Sequence, residues 1–138
     1  MTICPYLYFN GNCRDALMFY AEVFGTKPMI MDASGLPPEF DLPQEKKDQV
    51  MHGQIPVGDG VLMASDSIFE ELPAMAGCAV QLTYPTAAEA KHKFDSLAAG
   101  GNVTMPWAAT FWCAGFGTLT DKFGTRWMVG CEEAPSEI

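Results

Sequence analysis

The chain has 138 residues, close to the roughly 150 that make one domain. Hydrophobic residues are 49% and charged residues 18%, which excludes a disordered or fibrous chain. Acidic residues number 17 and basic residues 8, a net charge of −9 with no Lys/Arg stripe; this argues against nucleic acid and against an anionic membrane surface.

The cysteines are Cys4, Cys13, Cys78, Cys113 and Cys131, an odd number with no CxxC spacing. The start, Met1 to Pro5, has no basic and apolar leader. A cytoplasmic protein with free thiols is expected. Residues 96–120 form a run of 25 without a charge, long enough to cross a membrane. Gly100, Gly101, Asn102, Pro106, Gly115 and Gly117 interrupt it, so it reads as loop and strand, and no membrane partner is expected.

Residues 3–9 are β-branched and aromatic and predict a strand. Asn12 predicts an N-cap, with Asp15 at N3, for a helix whose stripe is Ala16, Leu17, Tyr20, Val23 and Phe24 and whose stop is Gly25. A strand over 27–31 precedes a Pro-rich loop, 34–46. Strands over 49–57 and 61–64 flank Gly58-Asp59-Gly60 as a hairpin. The order then recurs. A strand over 79–84 leads to Thr86-Ala87-Ala88-Glu89, a capping box, and a helix with the stripe Ala90, Phe94, Leu97 and Ala98. Strands over 102–105, 116–120 and 125–129 follow, the last two around Asp121-Lys122-Phe123-Gly124.

The recurrence is a repeat. The two caps, 12 and 86, are offset by 74 positions, and the hairpin glycines, 60 and 124, by 64. The Pro-rich loop of the first half accounts for the difference. The expected fold is therefore α+β: two βαβββ modules, one over 1–66 and one over 77–131, whose sheets share a cavity, with an acidic tail over 132–138. Each module alone has a half-buried sheet that needs a partner, so 1–138 is expected to be a single domain.

The sequence resembles the vicinal-oxygen-chelate (glyoxalase/bleomycin-resistance/dioxygenase) superfamily, and within it the PhnB-like branch. The resemblance rests on Pro5-Tyr6-Leu7-Tyr8-Phe9-Asn10-Gly11-Asn12, Phe19-Tyr20, Val23-Phe24-Gly25, Met51-His52-Gly53 and Leu62-Met63-Ala64-Ser65-Asp66. It continues through Phe94-Asp95-Ser96-Leu97, Gly100-Gly101, Met105-Pro106, Phe111-Trp112, Phe116-Gly117 and Thr120-Asp121-Lys122-Phe123-Gly124 to Trp127-Met128. It implies paired βαβββ modules and a homodimer. It also implies a divalent metal held by His and carboxylate near the start of each module's first strand and four residues after each hairpin glycine. Those positions are here Pro5, Ala64, the neighbourhood of Ala79, and Met128. None offers a donor that such a metal prefers, so no metal and no cofactor is expected. The methyltransferase name attached to some PhnB-like sequences finds no glycine-rich nucleotide loop here.

His52 is the leading candidate residue, a polar group able to bind or to transfer a proton near neutral pH, with Gln54 on the same strand face. His92 lies off its helix stripe and reads as solvated. Trp107, Phe111 and Trp112 read as a pocket wall or a dimer seam. Tyr6 and Tyr8 complete the expected lining. Asp66 and Asp121 are either bases or turn-capping carboxylates, the second reading being favoured for Asp121. The expectation is a small-molecule-binding protein without the usual metal site, its ligand apolar or aromatic with one polar group. The alternatives are a metal-dependent enzyme with relocated ligands and an acid–base enzyme using His52.

Overall fold

The computed structural model describes residues 1–136. The chain divides into two compact units, Met1–Pro73 and Ala74–Ile138. The last two residues of the expected acidic tail lie outside the described residues.

The first unit runs β1 (Tyr6–Phe9), α1 (Cys13–Phe24), β2 (Met29–Asp32), three short 3₁₀ turns between Ala33 and Lys46, β3 (Val50–Val57) and β4 (Gly60–Asp66). Its sheet has the order β1-β4-β3-β2. β1 lies parallel to β4, and the other pairs are antiparallel. The second unit runs β5 (Val80–Tyr84), α2 (Ala87–Ala98), β6 (Asn102–Ala108), β7 (Phe116–Thr120) and β8 (Arg126–Cys131). Its sheet has the order β5-β8-β7-β6, again with one parallel pair, β5 with β8. The expected repeat is therefore present down to strand order and direction.

α1 stops where expected. Gly25 adopts the left-handed conformation (φ 67°), and Thr26 N–H closes on the Ala21 carbonyl at 3.0 Å. Its start differs. Asn12 (φ −111°, ψ 20°) is outside the extended region that lets a cap side chain turn back, and it makes no capping bond. The carboxylate of Asp66, at the end of β4, takes that role: Oδ1 accepts from Gly11 N at 2.9 Å and from Cys13 N at 3.0 Å. In α2 the local cap forms as read, with Thr86 Oγ1 accepting from Glu89 N at 3.2 Å.

Each helix seats closely on one face of its own sheet. In the first unit Cys13, Ala16, Leu17 and Tyr20 are fully buried. At Gly53 a Cβ would lie 2.3 Å from Leu17 Cδ1, so the missing side chain sets the helix–sheet distance. In the second unit Phe94 and Leu97 of α2 are buried, and Trp127, Val129 and Leu119 form the core beneath them. Burying side chains of this size contributes roughly 1.5–3 kcal/mol each.

β6 is longer than expected and carries Trp107 as a strand residue rather than a loop residue. The Trp107 ring stands 5.3 Å from that of Phe94.

Candidate functional site

Strand alternation fixes which side chains leave the helix-covered face of the first sheet. Gly53, Leu7 and Ala64 share a row, and Gly53 points at Leu17 of α1. The adjacent row, Tyr6, Met63, Gln54 and Met29, therefore faces the other way. Tyr8 and Ser65 form part of a second such row, and so do His52 and Met31.

Three of these side chains connect. Tyr6 Oη is 3.1 Å from His52 Nδ1, and His52 Nε2 is 3.1 Å from Gln54 Oε1. A Gln amide oxygen can only accept, so the neutral imidazole carries its proton on Nε2. Nδ1 is then an acceptor, and the Tyr6 hydroxyl donates to it. The Tyr6 ring stacks obliquely on His52 (centroids 5.7 Å apart) and on Tyr8 (5.1 Å). Cys4 Sγ lies 3.7 Å from Met63 Sδ beside them.

This face is neutral. Its rows hold phenols, thioethers, an amide, a hydroxyl and one imidazole, with no Lys, Arg, Asp or Glu among them. Tyr6, Tyr8, Met29 and Met31 are exposed, and His52, Gln54 and Met63 are half-buried. Two surface hollows of about 280 and 300 Å³ in the same unit lie elsewhere, against the segment from Ala33 to Gln49.

The remaining candidates divide by role. Asp66 is committed to structure: besides its two bonds at the start of α1, Oδ2 accepts from Val50 N at 2.8 Å. Asp121 caps its turn through Phe123 N (2.8 Å) and Thr125 N (3.0 Å) and holds Trp127 Nε1 at 2.8 Å. Neither carboxylate has the free geometry of a general base. His92 is exposed on α2, as read. Phe111 and Trp112 form an edge-to-face pair (4.8 Å), and Trp112 continues onto Phe116 (5.3 Å). Phe111 is 90% exposed and Trp112 53%. The structure thus brings Tyr6, Tyr8, His52 and Gln54 together in the first unit. Phe111 and Trp112 gather in the second unit, where Trp107 packs separately on Phe94.

The strand register places the positions at which the superfamily resemblance implies a metal on particular faces of each sheet. Ala64 is fully buried on the α1 side, so it could not reach a metal on the outward face. The outward residue there is Met63, opposite Tyr6; the equivalent pair in the second unit is Met128 opposite Gln81. Neither pair, Tyr6 with Met63 in the first unit or Gln81 with Met128 in the second, offers the imidazole and carboxylate that such a metal prefers. Among the described residues, no three His, Cys, Asp or Glu side chains group so as to hold a metal ion.

A family model described as 3-demethylubiquinone-9 3-methyltransferase matches residues 1–130. The chain belongs to this family. Protein YjdN of Escherichia coli (strain K12) is 31% identical over 94% of this chain and 94% of its own. The crystal structure of protein PA1353 from Pseudomonas aeruginosa is 43% identical, covers 96% of this chain and 98% of its own, and superposes with a TM-score of 0.85. A glyoxalase/bleomycin resistance protein/dioxygenase family enzyme from Burkholderia phytofirmans PsJN shares the fold at 12% identity, with a TM-score of 0.61 over 93% of this chain and 95% of its own. The family is thus the PhnB-like one, with the glyoxalase/bleomycin-resistance fold. Among the described residues no helix is long and apolar enough to cross a membrane.

Proposed function

We propose that this PhnB-like protein binds a small aromatic or apolar molecule on the outward face of its first sheet. The observation that carries the reading is the Tyr6–His52–Gln54 chain set among neutral aromatic and thioether side chains. An anionic ligand would want Arg or Lys there, and a cationic one Asp or Glu; the rows contain neither. The tyrosine rings and methionines supply apolar contact, and the Tyr6 hydroxyl and the His52 ring orient one polar group of the ligand. Methyl transfer is not part of the proposal. The turn from β1 into α1, where a nucleotide phosphate would seek backbone N–H groups, already gives those of Gly11 and Cys13 to Asp66.

The test is calorimetric titration of wild type, His52→Ala and Tyr6→Phe with a panel of small phenols and aryl amides. The proposal expects at least one saturable ligand whose affinity falls about tenfold, or about 1.4 kcal/mol, in His52→Ala. Equal affinities in the three proteins would overturn it.

The Tyr6–His52 contact favours a second reading, acid–base work. A proton taken by the Tyr6 hydroxyl can pass to His52 Nδ1 without any side chain moving. Hydrogen–deuterium exchange at a carbon acid, accelerated by wild type and not by His52→Ala, would support it; no acceleration across the panel would remove it. The exposed Phe111–Trp112 pair supports self-association of this chain as a homodimer through the aromatic loop. Trp112→Ala is then expected to shift the sedimentation coefficient toward monomer, and an unchanged value would contradict this.

A further inference from the structure

We propose that Cys113 and Cys131 form an oxidation site that closes to a disulfide, tying the aromatic loop to the end of β8. Cys113 lies in the segment joining β6 to β7, and Cys131 is the last residue of β8. The Cys113 thiol donates to the Gly115 carbonyl at 3.2 Å, and the Cys131 thiol lies 3.7 Å from that same oxygen and 3.7 Å from the Glu133 carbonyl. Gly130, the residue before Cys131, also lies against the Cys113 thiol, its Cβ position being 3.9 Å from Cys113 Sγ. Two thiols gathered on one carbonyl oxygen are neighbours in the fold, the placement from which a disulfide can close.

The surrounding backbone holds this arrangement. Thr110 Oγ1 accepts from Trp112 N and Cys113 N at 3.3 and 3.2 Å, and Thr110 N donates to the Cys113 carbonyl at 3.0 Å. Ala114 N reaches the Glu133 carbonyl at 2.9 Å, which anchors the loop beside the segment after β8. Burial opposes ionisation of Cys113. Hydrogen bonds with Thr110, Cys131 and Gly115 outweigh it and hold the thiol below its ordinary pKa. Cys113 and Cys131 are both buried, and the other cysteines have other neighbours: Cys4 sits against Met63, Cys78 is exposed, and Cys13 lies beside Asp66.

The oxidant is a peroxide. The Cys113 thiol attacks one peroxide oxygen, the O–O bond breaks, and sulfenic acid and one water form. The Cys131 thiol then attacks the Cys113 sulfur, the S–S bond forms, and the hydroxyl leaves with the thiol proton as a second water. Two thiols give up two electrons and two protons per hydrogen peroxide reduced.

The test treats the full chain with hydrogen peroxide, alkylates remaining thiols under denaturing conditions and maps the peptides by mass spectrometry. The expected product is a peptide pair joining Cys113 to Cys131, about 2 Da lighter than its two thiol peptides and split by dithiothreitol. In Cys131→Ser, Cys113 is expected to stop at sulfenic acid and be captured by dimedone. Cys113 and Cys131 both alkylated after treatment, or Cys113 joined to Cys78, would overturn the proposal. Chymotrypsin supplies the second readout. Cleavage at Phe111 and Trp112 is expected to slow several-fold in the oxidised protein, and equal rates would contradict the tie to the loop.

Discussion

Asp66 holds the Val50 backbone N–H at 2.8 Å through one carboxylate oxygen, while its other oxygen takes Gly11 and Cys13 at the start of α1. One side chain at 5% exposure thus ties the end of β4 to the beginning of β3 and to the helix. A buried N–H left without an acceptor costs about 1–3 kcal/mol. Asp66→Ala orphans two such groups, at Cys13 and Val50, besides that of the exposed Gly11, and is expected to destabilise the protein by about 3 kcal/mol or more. Asp66→Asn keeps one oxygen but turns an NH₂ toward one of the N–H groups, so a smaller loss is expected. Urea unfolding of the two variants orders them; equal stability of Asp66→Ala and wild type would contradict this role.

Gly53 faces Leu17 so closely that an added methyl would sit 2.3 Å from Leu17 Cδ1. Gly53→Ala is expected to cost about 1–3 kcal/mol through overpacking. The damage should be partly relieved in Gly53→Ala/Leu17→Ala, because the second change removes the clashing atom. A double-mutant cycle checks this, and strict additivity of the two losses would be the wrong outcome.

Burial, reinforced by the neighbouring Asp66 carboxylate, pushes the Cys13 thiol up to about 12, with Arg14 pulling the other way. The folded protein keeps a proton that the unfolded chain releases near pH 9. Folded stability is therefore undiminished by this group below pH 9 and falls as pH rises from 9 toward 12. The same thiol should resist alkylation. In native protein at pH 8.5, iodoacetamide is expected to label the exposed Cys78 first and Cys13 last. Equal labelling rates by peptide mapping would refute it.

The sequence marks the fold well because the local signals agree: Gly25 stops α1, Thr86 caps α2, and the aromatic and β-branched runs become strands. It misleads where a position depends on register. The β3–β4 turn is tight, with Val57 paired to Gly60, whereas Gly124 sits in a longer turn before Arg126. A count of four from each glycine therefore reaches the helix-covered Ala64 in one unit and Met128, on the opposite face, in the other. A slip of one residue reverses the face of a strand. Asn12 misleads for a related reason: its cap is lost to a carboxylate 54 positions later, at 66. His52 is legible as a polar residue on a strand beside Gln54. That Tyr6 meets it follows only from the order β1-β4-β3, which places them two strands apart.

Nitrogen NMR of the His52 ring tests most directly whether a ligand engages the Tyr6–His52–Gln54 face. Titration of ¹⁵N-labelled protein with the phenol and aryl amide panel should move the His52 Nδ1 and Nε2 signals and the Gln54 side-chain amide together and saturably, and Tyr6→Phe should weaken the response. Saturable shifts confined to other residues, with the His52 ring nitrogens unmoved, would contradict the account.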